Sequence, residues 1–322
     1  MKTGNAEEPK LRADQACSYG RLLMLKPLSP DPQLRKQIEQ SVHAESHMCW
    51  TCRSCDSECP VNIATGRLQP VKVVWMANLG LLDELLNMPE IWYCQSCNRC
   101  NQVCPMMVKP AAIIRHFRQE ALQRKIVSND KLRQYNDLYG RFQRARWQMA
   151  TCCRDRNDVT LSQSDWKAWL DTPVRSGGDG VKHGQLFAQS KALKKAMADT
   201  HTNACFTCGE CSSACPVFYE RGVFDPVWIF RMVNLGLAPE LLTSPAIWLC
   251  IGCRRCSAAC PQGVRGHQII ERLKQLAVDE GFMENTFPLS WREFQKALYG
   301  LLLNDIDTLF GFPKTAAGTA DA

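Results

Sequence analysis

The chain has 322 residues, a formal net charge of +7 and 45% hydrophobic residues, enough to build more than one packed core without disulfide staples. No stretch of about eighteen consecutive apolar residues occurs, which excludes a bilayer-spanning helix. The first fifteen residues are polar and charged, without a basic start, an apolar stretch or a twin arginine, so no secretory signal is expected.

Most of the nineteen cysteines fall into four copies of one pattern, Cys-x-x-Cys-x-x-Cys-x-x-x-Cys-Pro. Motif 1 is Cys49, Cys52, Cys55 and Cys59; motif 2 is Cys94, Cys97, Cys100 and Cys104; motif 3 is Cys205, Cys208, Cys211 and Cys215; motif 4 is Cys250, Cys253, Cys256 and Cys260. Three cysteines two residues apart can wrap a tight turn around one face of a cubane cluster, with neighbouring amides aimed at sulfide. In bacterial two-cluster proteins the fourth cysteine, before proline, ligates the other cluster of the pair. The spacing therefore predicts four [4Fe-4S] clusters in crossed sets: Cys49, Cys52, Cys55 with Cys104; Cys94, Cys97, Cys100 with Cys59; Cys205, Cys208, Cys211 with Cys260; and Cys250, Cys253, Cys256 with Cys215. Structural zinc needs only two Cys-x-x-Cys pairs and leaves the third cysteine and the proline of every motif without a purpose. The expected chemistry is outer-sphere electron transfer, with no catalytic residue of the chain's own.

Between motifs 1 and 2, Pro70 suits a first helical turn, Val71, Val74 and Trp75 follow at helical spacing, and Gly80 ends the helix. A short helix is expected over 81–87, and a longer one over 111–124. Residues 111–156 hold eleven Lys or Arg against four Asp or Glu, the whole of the excess charge. They read either as a docking surface for an acidic partner, anionic lipid or nucleic acid, or as a solvated helix face. Residues 151–195 form a linker, with Pro173 and the glycine-rich run 176–180 marking flexibility and Trp166 and Trp169 able to anchor a short helix.

Motif 3 lies 156 residues after motif 1, and motif 4 the same distance after motif 2, so the chain is a tandem duplication. At that offset residues 75–105 and 231–261 agree at 17 of 31 positions, only five of them cysteine or the final proline; the scaffold is repeated as well as the ligands. Pro226 matches Pro70, Asp225 is a candidate cap, and Val227, Phe230 and Val233 precede Gly236. Helices are expected over 237–243 and 266–281. Leu138-Tyr139-Gly140 returns as Leu298-Tyr299-Gly300 at an offset of 160, four residues longer. The apolar segment 289–312 is expected to close its own unit, and the tail 314–322 to be disordered. Trp92 and Trp248, two residues ahead of a predicted ligand, are expected to keep the cluster dry by packing, and Cys17, Cys152 and Cys153 to be unligated thiols.

The helical insertion between motifs favours a mainly α fold: two tandem α-helical ferredoxin-like domains, each with two [4Fe-4S] clusters, at 1–150 and 196–322 about the 151–195 linker. The segments 205–216, Phe-Asp-Pro at 224–226, Met-Val-Asn-Leu-Gly-Leu at 232–237 and 247–264 resemble HdrC, the C subunit of heterodisulfide reductase, and its homologues. The first half is similar more loosely, reading Met106-Met107-Val108 where the second has Gln262-Gly263-Val264. The resemblance implies an electron-relay subunit of a heterodisulfide reductase-like oxidoreductase complex. Its implied partners are an A-like flavin and iron-sulfur subunit and a catalytic B-like Cys-Cys-Gly subunit, and its implied place is cytoplasmic, reaching a membrane only through the complex. HdrC proteins usually carry one pair of motifs, from which the duplication departs. Cys152-Cys153 is followed by Arg154, not glycine, and no Gly-x-Gly-x-x-Gly follows a strand, so neither disulfide reduction nor a nucleotide site is expected. The competing readings are the iron-sulfur subunit of a quinone-linked dehydrogenase, and a free carrier or nucleic-acid-binding protein with structural clusters; nucleic acid is not the expected partner.

Overall fold

The structure, a computed structural model, describes residues 28–155, 163–174, 191–220 and 222–313; Cys17, the run 176–180 and the tail 314–322 lie outside them. The described residues form helices and no strand. The longer helices are α1 (Pro32–Val42), α2 (Pro70–Asn78), α3 (Pro110–Gln123), α4 (Asn129–Asp155), α5 (Gln163–Asp171), α6 (Lys191–Met197), α7 (Pro226–Leu235), α8 (Gly266–Asp279) and α9 (Phe287–Phe310).

Proline opens α2, α3 and α7, where a missing N–H leaves no bond unmade. The Asp225 carboxylate caps α7 by accepting from the Val227 amide at 3.1 Å, and Gly236, at φ 75°, closes it. In the first half the cap is Leu79, and Gly80, at φ 68°, sits one residue beyond. The reason is a close approach: a Cβ on Gly80 would lie 2.0 Å from the Asp31 carbonyl oxygen. Asp31 in turn donates its amide to Leu79 O at 2.8 Å and caps α1 with its side chain, so this contact docks α1, a helix that no motif in the sequence announces.

α4 and α9 form an antiparallel spine. Positions rising along α4 meet positions falling along α9: Tyr135 with Phe310 (5.9 Å between rings), Phe142 with Tyr299 (5.2 Å), and Arg146 with Gln295 (3.0 Å). Each helix starts over its own half. Tyr135 Oη donates to Trp92 O at 2.8 Å, and Trp291 Nε1, 156 residues later, donates to Trp248 O at 3.0 Å. Each ends over the other half: Phe310 stacks on Trp92 at 4.4 Å, the buried Asp307 meets Arg67 and Tyr93, and Arg154 donates to Thr243 O at 2.8 Å. The segment expected to close its own unit therefore also covers the first half. The four extra residues before Leu298 amount to about one helical turn, which keeps Leu298 and Tyr299 on the buried face. From α5, Trp166 is fully buried beside Phe142 and donates to Asp305 on α9 at 2.8 Å.

The same packing absorbs much of the basic segment. Arg115 donates to Asn98 at 2.6 Å, Arg118 to the carbonyls of Ile91 and Cys94, Arg141 to Asp171 at 2.9 Å, and Arg144 to Glu220 at 2.7 Å, while Arg146 is wholly buried. Of the two readings of this segment, an open docking face and a solvated face, neither describes these arginines; they hold the helices to both halves.

Candidate metal centres

The first cysteine of motifs 1 and 3 leaves a short 3-10 turn, Ser46–Met48 or Thr202–Ala204, and the residues flanking the second cysteine then take the left-handed conformation in all four motifs. These pairs are Thr51 and Arg53, Ser96 and Asn98, Thr207 and Gly209, and Gly252 and Arg254, with φ between 53° and 86°. For a non-glycine residue each such conformation costs roughly 1–2 kcal/mol, and its recurrence at one spot in four motifs marks strain held for a purpose. Alternation of left-handed and ordinary residues turns successive amides into a concave nest suited to an anion. Ser96 N and Gly252 N already point at Cys94 Sγ and Cys250 Sγ at 3.3 and 3.4 Å, and Val108 N at Cys104 Sγ at 3.4 Å.

A second recurrence was missed in the sequence. The residue after the third cysteine of each motif caps the next long helix from outside. Asp56 accepts from Val71 N at 2.9 Å, Asn101 from Ala111 N at 2.8 Å, Ser212 from Val227 N at 3.3 Å and Ser257 from His267 N at 3.2 Å. Aspartate, asparagine and serine at that one offset are the cap-forming types, and that was the available signal. Each cap ties a cysteine turn to the start of α2, α3, α7 or α8.

The turns bring the cysteines together across motifs. Cys49, Cys52 and Cys55 line one cavity with Cys104, walled by Val71, Val74, Met106 and Val108. Cys94, Cys97 and Cys100 line a second with Cys59, beside Val61, Leu68 and Ile114. Cys205, Cys208 and Cys211 line a third with Cys260, beside Val227, Phe230 and Val264. Cys250, Cys253 and Cys256 are mutual neighbours, and Cys215 is close enough to Cys250 and Cys253 for their charges to perturb it. Among the described residues no three His, Cys, Asp or Glu side chains converge on a single metal-ion position; the thiols instead surround cavities. Cys152 and Cys153 lie at the end of α4 and line none of these three cavities.

Burial pushes the Cys55, Cys59, Cys97 and Cys256 thiols up to about 12 and Cys211 up to about 11, and raises Cys100 and Cys215 as well. A lone thiolate is costly in such walls, so thiolate quartets here require a cationic core as counter-charge. Four thiols, apolar walls and inward amides fit an iron-sulfur cubane. Two cations flank the Cys94 and Cys250 turns at positions 156 apart: Arg118 donates to Cys94 O and lies 5.7 Å from the Trp92 ring, and Lys274 donates to Cys250 O at 3.0 Å and lies 5.7 Å from Trp248. Both tryptophans are buried and neither indole N–H finds a partner, but neither lines the three cysteine cavities; Trp92 packs on Tyr135 and Phe310, and Trp248 on Phe287.

Comparison with known proteins agrees with this geometry. Residues 29–109 and 201–264 each match a family model described as a 4Fe-4S dicluster domain. The C subunit of the H(2):CoB-CoM heterodisulfide,ferredoxin reductase of Methanothermobacter thermautotrophicus is 27% identical over 125 residues, which cover 39% of this chain and 67% of that protein. The iron-sulfur C subunit of the CoB--CoM heterodisulfide reductase of Methanopyrus kandleri is 34% identical over 80 residues, 25% of this chain and 41% of that one. The glycolate oxidase iron-sulfur subunit of Escherichia coli is 32% identical over 93 residues, 27% of this chain and 23% of that protein. With two dicluster matches in tandem on one repeated helical scaffold, the chain is an HdrC-like iron-sulfur protein whose dicluster unit is duplicated.

Proposed function

We propose that this chain is the electron-relay subunit of a heterodisulfide reductase-like oxidoreductase complex and holds four [4Fe-4S] clusters in two ferredoxin-like units, 1–150 and 196–322. The ligand sets are Cys49, Cys52, Cys55 and Cys104; Cys94, Cys97, Cys100 and Cys59; Cys205, Cys208, Cys211 and Cys260; and Cys250, Cys253, Cys256 and Cys215. The observation that carries the reading is the meeting of three cysteines from one motif with the fourth from its partner around an apolar-walled cavity. When bound, such clusters supply one-electron chemistry without bond rearrangement. The chain's own residues hold the thiolates, wall them with apolar side chains such as Val71, Val74, Leu68, Ile114 and Phe230, and set local charge with Arg118 and Lys274. Partner subunits supply substrate chemistry: an A-like flavin and iron-sulfur subunit on one side and a B-like Cys-Cys-Gly subunit on the other. No helix among the described residues is long and apolar enough to cross a membrane.

Anaerobic affinity capture from the native host tests the assignment. Recovery of a flavin subunit together with a Cys-Cys-Gly protein is the expected result. The likeness to the glycolate oxidase iron-sulfur subunit favours a second reading, the iron-sulfur subunit of a quinone-linked dehydrogenase. Capture of such a dehydrogenase, with no disulfide-reducing partner, would replace the first reading with that one.

A further inference from the structure

Besides the spine of α4 and α9, the duplicated halves also meet through motifs 2 and 4. Arg99 and Arg255 stand 156 residues apart, each two residues past the second cysteine of its motif. Arg99 Nη1 donates to Ile251 O at 3.1 Å, and Arg255 Nη1 donates to Ser96 O at 3.1 Å, so each arginine reaches into the other's motif. Gln102 adds a bond to Cys253 O at 3.2 Å. The donors are equivalent positions and their acceptors differ by one residue in register, so the contacts approximate the reciprocal pattern of a two-fold interface within one chain. Cys97 and Cys253, both buried, each stand two residues before one of these arginines. In motifs 1 and 3 the second cysteine is exposed instead. Cys52 and Cys208 are exposed, each near an exposed aromatic, Trp50 at 70% and Phe206 at 58%, again 156 residues apart.

We propose that Arg99 and Arg255 are positioning residues that lock motif 2 against motif 4, so that the two inner cysteine quartets are neighbours and the duplicated chain is one bridge with two exposed ends, at Cys52 and Cys208. The alternative is two independent dicluster units that happen to share a polypeptide, each serving its own partner. The inner arginines decide between them because they bond carbonyls of the opposite cysteine turn rather than surface side chains remote from it. The inference rests on the ligand reading above and adds to it the order of the quartets: outer, inner, inner, outer.

The test uses the full chain, purified without oxygen, in a background carrying Cys52→Ser and Cys208→Ser to remove the outer clusters. With both inner quartets loaded and reduced, the magnetic-resonance spectrum is expected to show splitting from interaction between two nearby spins. Arg99→Ala with Arg255→Ala is expected to abolish that splitting at unchanged iron content. Arg99→Lys with Arg255→Lys, which keeps both charges but shortens their reach, is expected to weaken it, and serves if the alanine variant loses iron. An unsplit spectrum from two loaded inner quartets overturns the bridge while leaving the relay assignment standing, and so does full splitting in an iron-loaded variant. Absence of iron-sulfur spectra altogether sinks both readings.

Discussion

Cys59 is the residue on which the crossed arrangement turns. It belongs to motif 1 by sequence but shares a cavity with Cys94, Cys97 and Cys100. Cys59→Ser is expected to remove about four of about sixteen iron atoms and to erase the spectrum of the cluster in that cavity; loss of the Cys49, Cys52, Cys55 cluster instead would contradict the assignment. Arg146 makes a different argument. It is fully buried, its guanidinium bonds only the amide oxygens of Gln143 and Gln295, and no carboxylate among the described residues pairs with it. Burial lowers its pKa, while nearby Tyr299 and then Cys250 favour the charged form. The position 160 residues later is Ile306, so this positive charge has no counterpart beside the first half's inner quartet. A cation beside a cluster favours its reduced, more negative state. Arg146→Met should therefore lower the midpoint potential of the Cys250 quartet and leave the Cys94 quartet unmoved, as read by a redox titration followed spectroscopically; equal shifts in both, or none, would contradict this.

At the scale of elements, the two long helices show how an identical tripeptide acquires different duties. A Cβ on Gly140 would fall 2.0 Å from the Tyr219 ring, whereas one on Gly300 would meet nothing within 4 Å. Arg144 lies 5.5 Å from the same Tyr219 ring and pairs with Glu220, fixing α4 to the second half. Gly140→Ala should cost about 1–3 kcal/mol of stability, and Gly300→Ala should raise stability by up to about 1 kcal/mol; denaturant titration of the two variants measures both. The helix starts were legible because proline and cap residues act locally: Pro70, Pro226 and Asp225 sit where the sequence puts them. Most of the left-handed residues around each second cysteine were not, because Thr51, Arg53, Ser96, Thr207 and Arg254 are types that give no local warning of that conformation. The outside caps at Asp56, Asn101, Ser212 and Ser257 bond amides ten to fifteen residues away, beyond the reach of a short capping motif.

For the molecule as a whole, the repeat offset was readable by subtraction, and the mainly helical class followed from the residues between motifs. How the halves join was not readable. Asp307 reaches Arg67 and Tyr93 across more than 200 residues, and Arg99 reaches Ile251 across 152; such pairs leave no periodic trace in a single sequence. Because α4 and α9 each end on the opposite half, the loaded protein should unfold with one calorimetric transition. Two well-separated transitions would mean that the halves are energetically independent. The most direct test of the central claim, that paired cysteine turns hold cubane clusters, is the iron and acid-labile sulfide content of anaerobically purified chain, read together with its Mössbauer spectrum. About sixteen of each per chain, all in [4Fe-4S] form, is the predicted result; zinc in their place, or iron that is not in cubanes, would contradict it.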